Sequence, residues 1–128
     1  MDKYTLKQYQ TIVREIEQLE AEKQRVLDEY LAPKLLTGMP GSSTSLDKIG
    51  DVVARQDKFQ RLIDAKLDQL LELREHIEAA IEGLPPNDRL LLRLRYIDGL
   101  TWEQVAVELH YGYQWTLKRH GRILQRLK

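Results

Sequence analysis

The chain of 128 residues contains no cysteine, and its 20 basic and 20 acidic side chains cancel. Without cysteine there are no disulfides and no thiolate chemistry, and a reducing compartment is permitted. A net charge of zero points the whole chain towards no particular partner. No window approaches the ~20 apolar residues of a membrane span, and the opening MDKYTLKQYQ has no apolar core of signal-peptide length. The expectation is a soluble, cytoplasmic protein that does not engage a membrane. His76, His110 and His120 stand far apart, none with a metal-ligand neighbour three or four residues on, so no metal is expected. There is no nucleophile elbow, P-loop or paired-acid pocket, and the many carboxylates alternate with Lys and Arg as on a solvated helix face. Neither an enzyme, a cofactor nor a small-molecule substrate is expected.

Glycine and proline are also missing from Tyr4 to Leu31, and nothing there breaks a helix. Apolar residues recur at Leu6, Tyr9, Ile12/Val13, Ile16, Leu19, Val26/Leu27 and Tyr30, the three-and-four spacing of one helical face. Glu20 and Lys23 interrupt that stripe. Residues 32–47, APKLLTGMPGSSTSLD, read as a loop in which Ser43, Thr44 or Ser45 caps the next helix. A second long helix is expected from about Leu46 to Glu82. Its seam, Phe59, Ile63, Lys66/Leu67, Leu70, Leu73, Ile77, Ala80/Ile81 and Leu84, is close to a heptad repeat. Neither helix can hide its stripe alone. An antiparallel hairpin satisfies both, and the seam also suits a homodimer.

Gly83 and Pro85-Pro86 end this helix, and Asn87 is placed to cap DRLLLRLRYI, which stops at Asp98-Gly99. Thr101 and Gln104 form a T-x-x-Q capping box for another helix. Charge is uneven between the two parts: residues 1–86 carry 12 basic and 16 acidic side chains, residues 87–128 carry 8 and 4. The excess cations gather at Lys118, Arg119, Arg122, Arg126 and Lys128. Such asymmetry suits one part meeting a polyanion. A helix-turn-helix needs a small residue at the crossing, a turn that tolerates a tight backbone, and a polar outer face on its second helix. Ala106, then His110 with Tyr111 as an apolar plug, then Gln114, Lys118 and Arg122 at intervals of four fill these places. Tyr96 and Tyr111 are read as core, Trp102 and Trp115 as packing residues. Thr116, His120, Ile123/Leu124 and Leu127 are read as the buried face, with Arg119 snorkelling beside it.

The stretch LPPNDRLLLRLRYIDGLTWEQVAVELHYGYQWTLKRHGRILQRL resembles region 4 of bacterial sigma factors. With TGMPGSSTSLDKIGDVVARQDKF upstream, it resembles a phage and prophage group of sigma-region-4-like regulators of the ArpU and RinA late-gene type. The residues carrying the likeness are LRYIDGLTWEQVA and the Trp115, His120, Leu124 spacing. The sequence departs from the pattern at Gly112, where a Ser cap is usual, at Leu117, Arg119, and at Gly121 in mid-helix. The resemblance implies an all-α fold, a long coiled-coil-like hairpin over 1–84 followed by a helix-turn-helix of sigma region 4 type over 85–128. It implies sequence-specific binding of double-stranded DNA and transcriptional control alongside host RNA polymerase. By position it places Tyr113, Gln114, Leu117 and Lys118 against bases, with Arg122 one turn on. Thr101, Trp102 and Arg126 fall against the phosphate backbone. The rival reading is an adaptor that binds RNA polymerase or another protein through its helices without reading DNA.

Overall fold

The computed structural model describes residues 1–37 and 46–128. Among them the chain is all-α: α1 (Lys3–Thr37), α2 (Leu46–Ile81), α3 (Pro86–Leu92), a π-helical turn (Arg93–Ile97), α4 (Trp102–Leu109) and α5 (Tyr113–Arg126). No helix of the described residues is long and apolar enough to cross a membrane. The expected caps Ser43, Thr44 and Ser45 lie outside the described residues. Two boundaries differ from expectation. The first long helix does not stop before Ala32 but continues through Pro33 to Thr37. An interior proline loses one hydrogen bond and crowds the carbonyl four residues back, at a cost of roughly 3 kcal/mol, and the residues after it, Lys34, Leu35 and Leu36, are types that favour helix. At the other break, Asn87 is not the cap: Pro85 holds that position and Pro86 is the first helical residue. The first N–H of a helix has no partner in any case, so proline loses nothing there.

The residues divide into two compact units, one of Met1–Val13 with Leu70–Lys128, the other of Arg14–Gln69. This follows packing, whereas the expected division at residues 84/85 follows chain order. In the Arg14–Gln69 unit the two long helices run antiparallel. Lys66 Nζ lies 2.6 Å from Glu15 Oε2, and Lys23 Nζ donates to Gln60 Oε1 at 2.7 Å. Among its described residues, Ile16 and Ile63 are buried. Lys23 is tolerated in the stripe because Gln60 accepts from it and in turn donates to Asp64 (2.8 Å).

In the other unit the first turns of α1 and the last turns of α2 join the C-terminal helices around one core. Leu6, Ile77, Ile81, Leu91, Leu92, Val105 and Ile123 are within it, each almost fully buried. Polar groups close its edges. Arg89 Nη1 donates to the Glu82 and Leu84 carbonyls beyond the end of α2. Arg93 donates to both oxygens of Glu78 at 3.0 and 2.6 Å, and that hydrogen bonding holds the Glu78 carboxyl below its ordinary range. The helix begun by α3 widens at Arg93–Ile97, where the Asp98 N–H reaches back five residues to the Arg93 carbonyl (2.9 Å). Gln10 of α1 answers the carbonyls this leaves: its Nε2 donates to Ile97 O at 2.6 Å and to Tyr96 O at 3.3 Å. The adjoining Gly99 has φ +73°, and a Cβ there would stand 2.9 Å from Gln10 Oε1. The backbone hand favours glycine, and a larger residue would also have to displace the Gln10 amide.

Leu6 belongs to this core although almost the whole of α1 and α2 separates it in sequence from the residues it packs with. Leu6→Ala is therefore expected to cost about 2–5 kcal/mol of global stability, read from the midpoint of urea unfolding of the whole chain. A loss of only a few tenths would show that the first turns of α1 are not part of the core.

Candidate nucleic-acid interface

The interface is built from α4, the turn after it, and α5. Thr101 caps α4 by accepting from the Gln104 N–H at 3.2 Å, while Gln104 Oε1 accepts from the Thr101 N–H at 2.9 Å. Both halves of the expected capping box are thus made. Ala106, small and buried, lies on the inner face of α4 with Val105 and Leu109. The turn is made by His110 in the left-handed conformation (φ 60°). Its N–H donates to Val107 O and the Tyr111 N–H to Ala106 O, both at 3.1 Å, which is the Schellman closure of a helix end. Tyr111 is not the buried plug the sequence suggested. It is 43 % exposed and stacks on Trp115, with ring centroids 4.1 Å apart. The two neighbouring rings cover each other instead of entering the core.

Gly112 starts α5 without a side-chain cap, and the Thr116 hydroxyl donates back to its carbonyl at 2.9 Å. Thr116, His120 and Ile123 form the buried strip of α5. Two anchors fix its rotation. Arg119 grips Asp88 of α3 with two hydrogen bonds, Nε to Oδ1 at 2.8 Å and Nη2 to Oδ2 at 2.5 Å, and the Asp88 side chain is only 4 % exposed. His120 Nε2 lies 2.6 Å from the Tyr96 hydroxyl. The His120 ring also packs on Trp102 at 4.4 Å, and the Arg95 guanidinium lies 4.7 Å over the other residue of that pair, the Trp102 indole. Burial pushes His120 down to about 4, helped by the charges of Lys3, Arg95 and Lys7, and burial pushes Tyr96 up to about 12. A hydroxyl that stays protonated thus meets an imidazole that stays neutral.

With that strip inward, the residues singled out from sequence take definite places. Gln114, Lys118, Arg122 and Arg126 are exposed, Tyr113 is largely so, and Leu117 is half-buried. Thr101 is exposed at the start of α4, its hydroxyl used in the cap, and Trp102 is half-buried in the His120 stack. Among the described residues no carboxylate pairs with Lys118, Arg122, Arg126 or Lys128, whereas Arg119 is neutralised by Asp88. The Asp88–Arg119 pair was not legible from sequence, where Asp88 looks like an acid in a helix's first turn and Arg119 like one more cation on a basic face.

Residues 74–111 match the family described as Sigma-70, region 4. That stretch runs from the last turns of α2 through α3, the π-helical turn and α4, and ends in the turn before α5. The chain is also similar to the RNA polymerase sigma factor FliA of Escherichia coli strain K12, with 27 % identity over 84 residues, 66 % of this chain and 33 % of that protein. The FliA proteins of the O6:H1 strain CFT073 and of O157:H7 show the same figures. The chain thus spans a third of the length of these relatives. No solved structure matches at a significant level. The C-terminal helix-turn-helix is of sigma region 4 type, and in this region-4-like unit the α4–turn–α5 arrangement is closed from behind by α1.

The region-4-like unit should be acid-sensitive through His120. Its folded value of about 4 lies below the ordinary 6.5, so the unfolded chain binds the extra proton between those values. The stabilisation is complete above about pH 6.5 and is lost as pH falls towards 4, on the order of 3 kcal/mol in all. Urea midpoints measured from about pH 7 to 5.5, above the ordinary carboxylate range, are expected to fall for the parent and to stay flat over that window for His120→Gln. Parallel slopes for the two chains would remove His120 as the cause.

Proposed function

We propose that this protein is a transcription regulator that binds double-stranded DNA in a sequence-specific way with α5 in the major groove, and that it works with RNA polymerase. The observation that carries this reading is the outward face of α5. Gln114, Lys118 and Arg122 lie one turn apart on it, exposed and without carboxylate partners, on a helix whose inner face is fully occupied. In the groove, Gln114 can pair with adenine, Lys118 with guanine, and Leu117 can touch a thymine methyl, with Tyr113 beside them at the helix start. Arg122 and Arg126 on α5 and Thr101 and Trp102 at the start of α4 are assigned to phosphates, which position the helix without reading sequence.

The likeness to proteins named RNA polymerase sigma factor supports polymerase as the partner. On this reading residues 85–128 supply the DNA contacts and residues 1–84 are free for oligomerisation or a protein partner, in a bacterial cytoplasm, with the protein itself encoded by a phage or prophage. This is a binding function and not an enzymatic one. The half-buried Leu117, and a family match that ends before α5, are what an adaptor lacking base readout would also show. The experiment below separates the two.

Affinity is measured on a selected site and on random duplex across a salt series. Lys118→Ala is expected to lose ~1–3 kcal/mol on the best site and to relax preference at one position. Arg122→Ala is expected to weaken all sequences alike and to flatten the log–log salt dependence by about one unit. Both side chains are exposed, so folding should be unchanged. If both folded variants bind like the parent, α5 does not read DNA and the adaptor reading replaces this one.

A further inference from the structure

The Arg14–Gln69 unit carries a groove between α1 and α2 that its own side chains leave open. The floor is apolar, made by Leu19 and Val26 of α1 and Phe59 and Leu62 of α2. Leu62 lies at its middle and is 53 % exposed. The two walls differ in sign. Glu15, Glu22 and Glu29 stand seven residues apart and so share one line of α1, while Lys48, Arg55, Lys58 and Lys66 line the α2 side, with the one acid Asp51 between Lys48 and Arg55 at the end of the groove. One pair closes across the groove within the chain, Glu15 with Lys66. Among the described residues Glu22, Glu29, Arg55 and Lys58 have no ion-pair or hydrogen-bond partner. On the opposite side of α2 the exposed Val53 and Leu67 stand apart, with the Lys23–Gln60–Asp64 hydrogen bonds between them.

We propose that this groove is the interface of a homodimer in which two copies of the chain lie parallel, related by a two-fold axis running along the hairpin. Such an axis lays α1 of one copy over α2 of the other, and a symmetric interface must be its own complement. Here it is: the acidic wall of each copy faces the basic wall of its partner. The Glu15–Lys66 and Lys23–Gln60 contacts fix the stagger of the helices. They set Glu22 level with Lys58 and Glu29 level with Arg55 to within about half a helical turn. An antiparallel pair would instead stack acid on acid and base on base. In the parallel pair Leu62 of each copy enters the partner's groove, which removes an exposed apolar side chain from water.

The inference concerns the hairpin and stands apart from DNA binding, so its test needs no nucleic acid. Sedimentation equilibrium of the full chain is expected to give twice the 15.1 kDa monomer mass, with association weakening as salt is raised. Leu62→Asp should give a monomer of unchanged helicity by circular dichroism, because the side chain it alters is half exposed. The doubly substituted chains E22K/E29K and R55E/K58E should each be monomeric alone and should form a one-to-one dimer when mixed. For orientation, a single thiol introduced by Asp51→Cys should cross-link between copies with a short bismaleimide. An antiparallel pair would hold those thiols roughly 30 Å apart. A parent chain that stays monomeric at high concentration, a Leu62→Asp chain that still dimerises, or charge variants that do not reassociate on mixing would each overturn the interface. Absence of the cross-link in a dimer would overturn its orientation.

Discussion

A helix of α5's length can bury only one strip, and here that strip is set by Thr116, His120 and Ile123. The composition of the outward face of α5 depends on that constraint. With those three inside, helical spacing leaves Gln114, Lys118 and Arg122 facing out. The strip in turn has somewhere to go only because Leu6, Ile77 and Ile81 complete the core behind it. The long helices are thus part of the scaffold that sets the attitude of α5.

Electrostatics follow from the same geometry. Of the cations on α5, Arg119 is turned against the buried Asp88 and held by two hydrogen bonds, which ties the helix to α3. His120, one position on, is kept neutral by burial and held by Tyr96. The charges that remain uncancelled are the outward ones. A basic residue count for the helix therefore overstates the charge it presents, while the pattern of which cations are free gives that charge a direction.

Much of this was legible in the sequence. The stripes of α1 and α2, the Thr101–Gln104 cap, the small Ala106 and the buried strip of α5 all rest on local rules of spacing and capping, and local rules survive folding. What escaped were features set by residues far apart. Asp88 with Arg119 and Gln10 with the Tyr96 and Ile97 carbonyls join positions with no shared local pattern. The widening of the backbone at Arg93–Ile97 had no composition signal. An aromatic residue at a turn reads as a plug, whereas Tyr111 stacks on its neighbour Trp115 and stays at the surface. The proline pair at 85–86 was read correctly as a break, but the break also starts the next helix.

Gln10 and Leu6 close a unit whose other residues extend to the last helix, and that has a consequence for how the protein is made. Residues 1–13 leave the ribosome well before the residues they pack with, since the core they complete needs Thr116, His120 and Ile123, more than a hundred positions later. At ~5–20 residues per second the leading turns wait about 5–20 s for their partners. In that interval Leu6 is uncovered, and α1 has only the hairpin to pack against. The antiparallel partner of α1 within Arg14–Gln69 is made before α5 is, so the Glu15–Lys66 and Lys23–Gln60 contacts become available first.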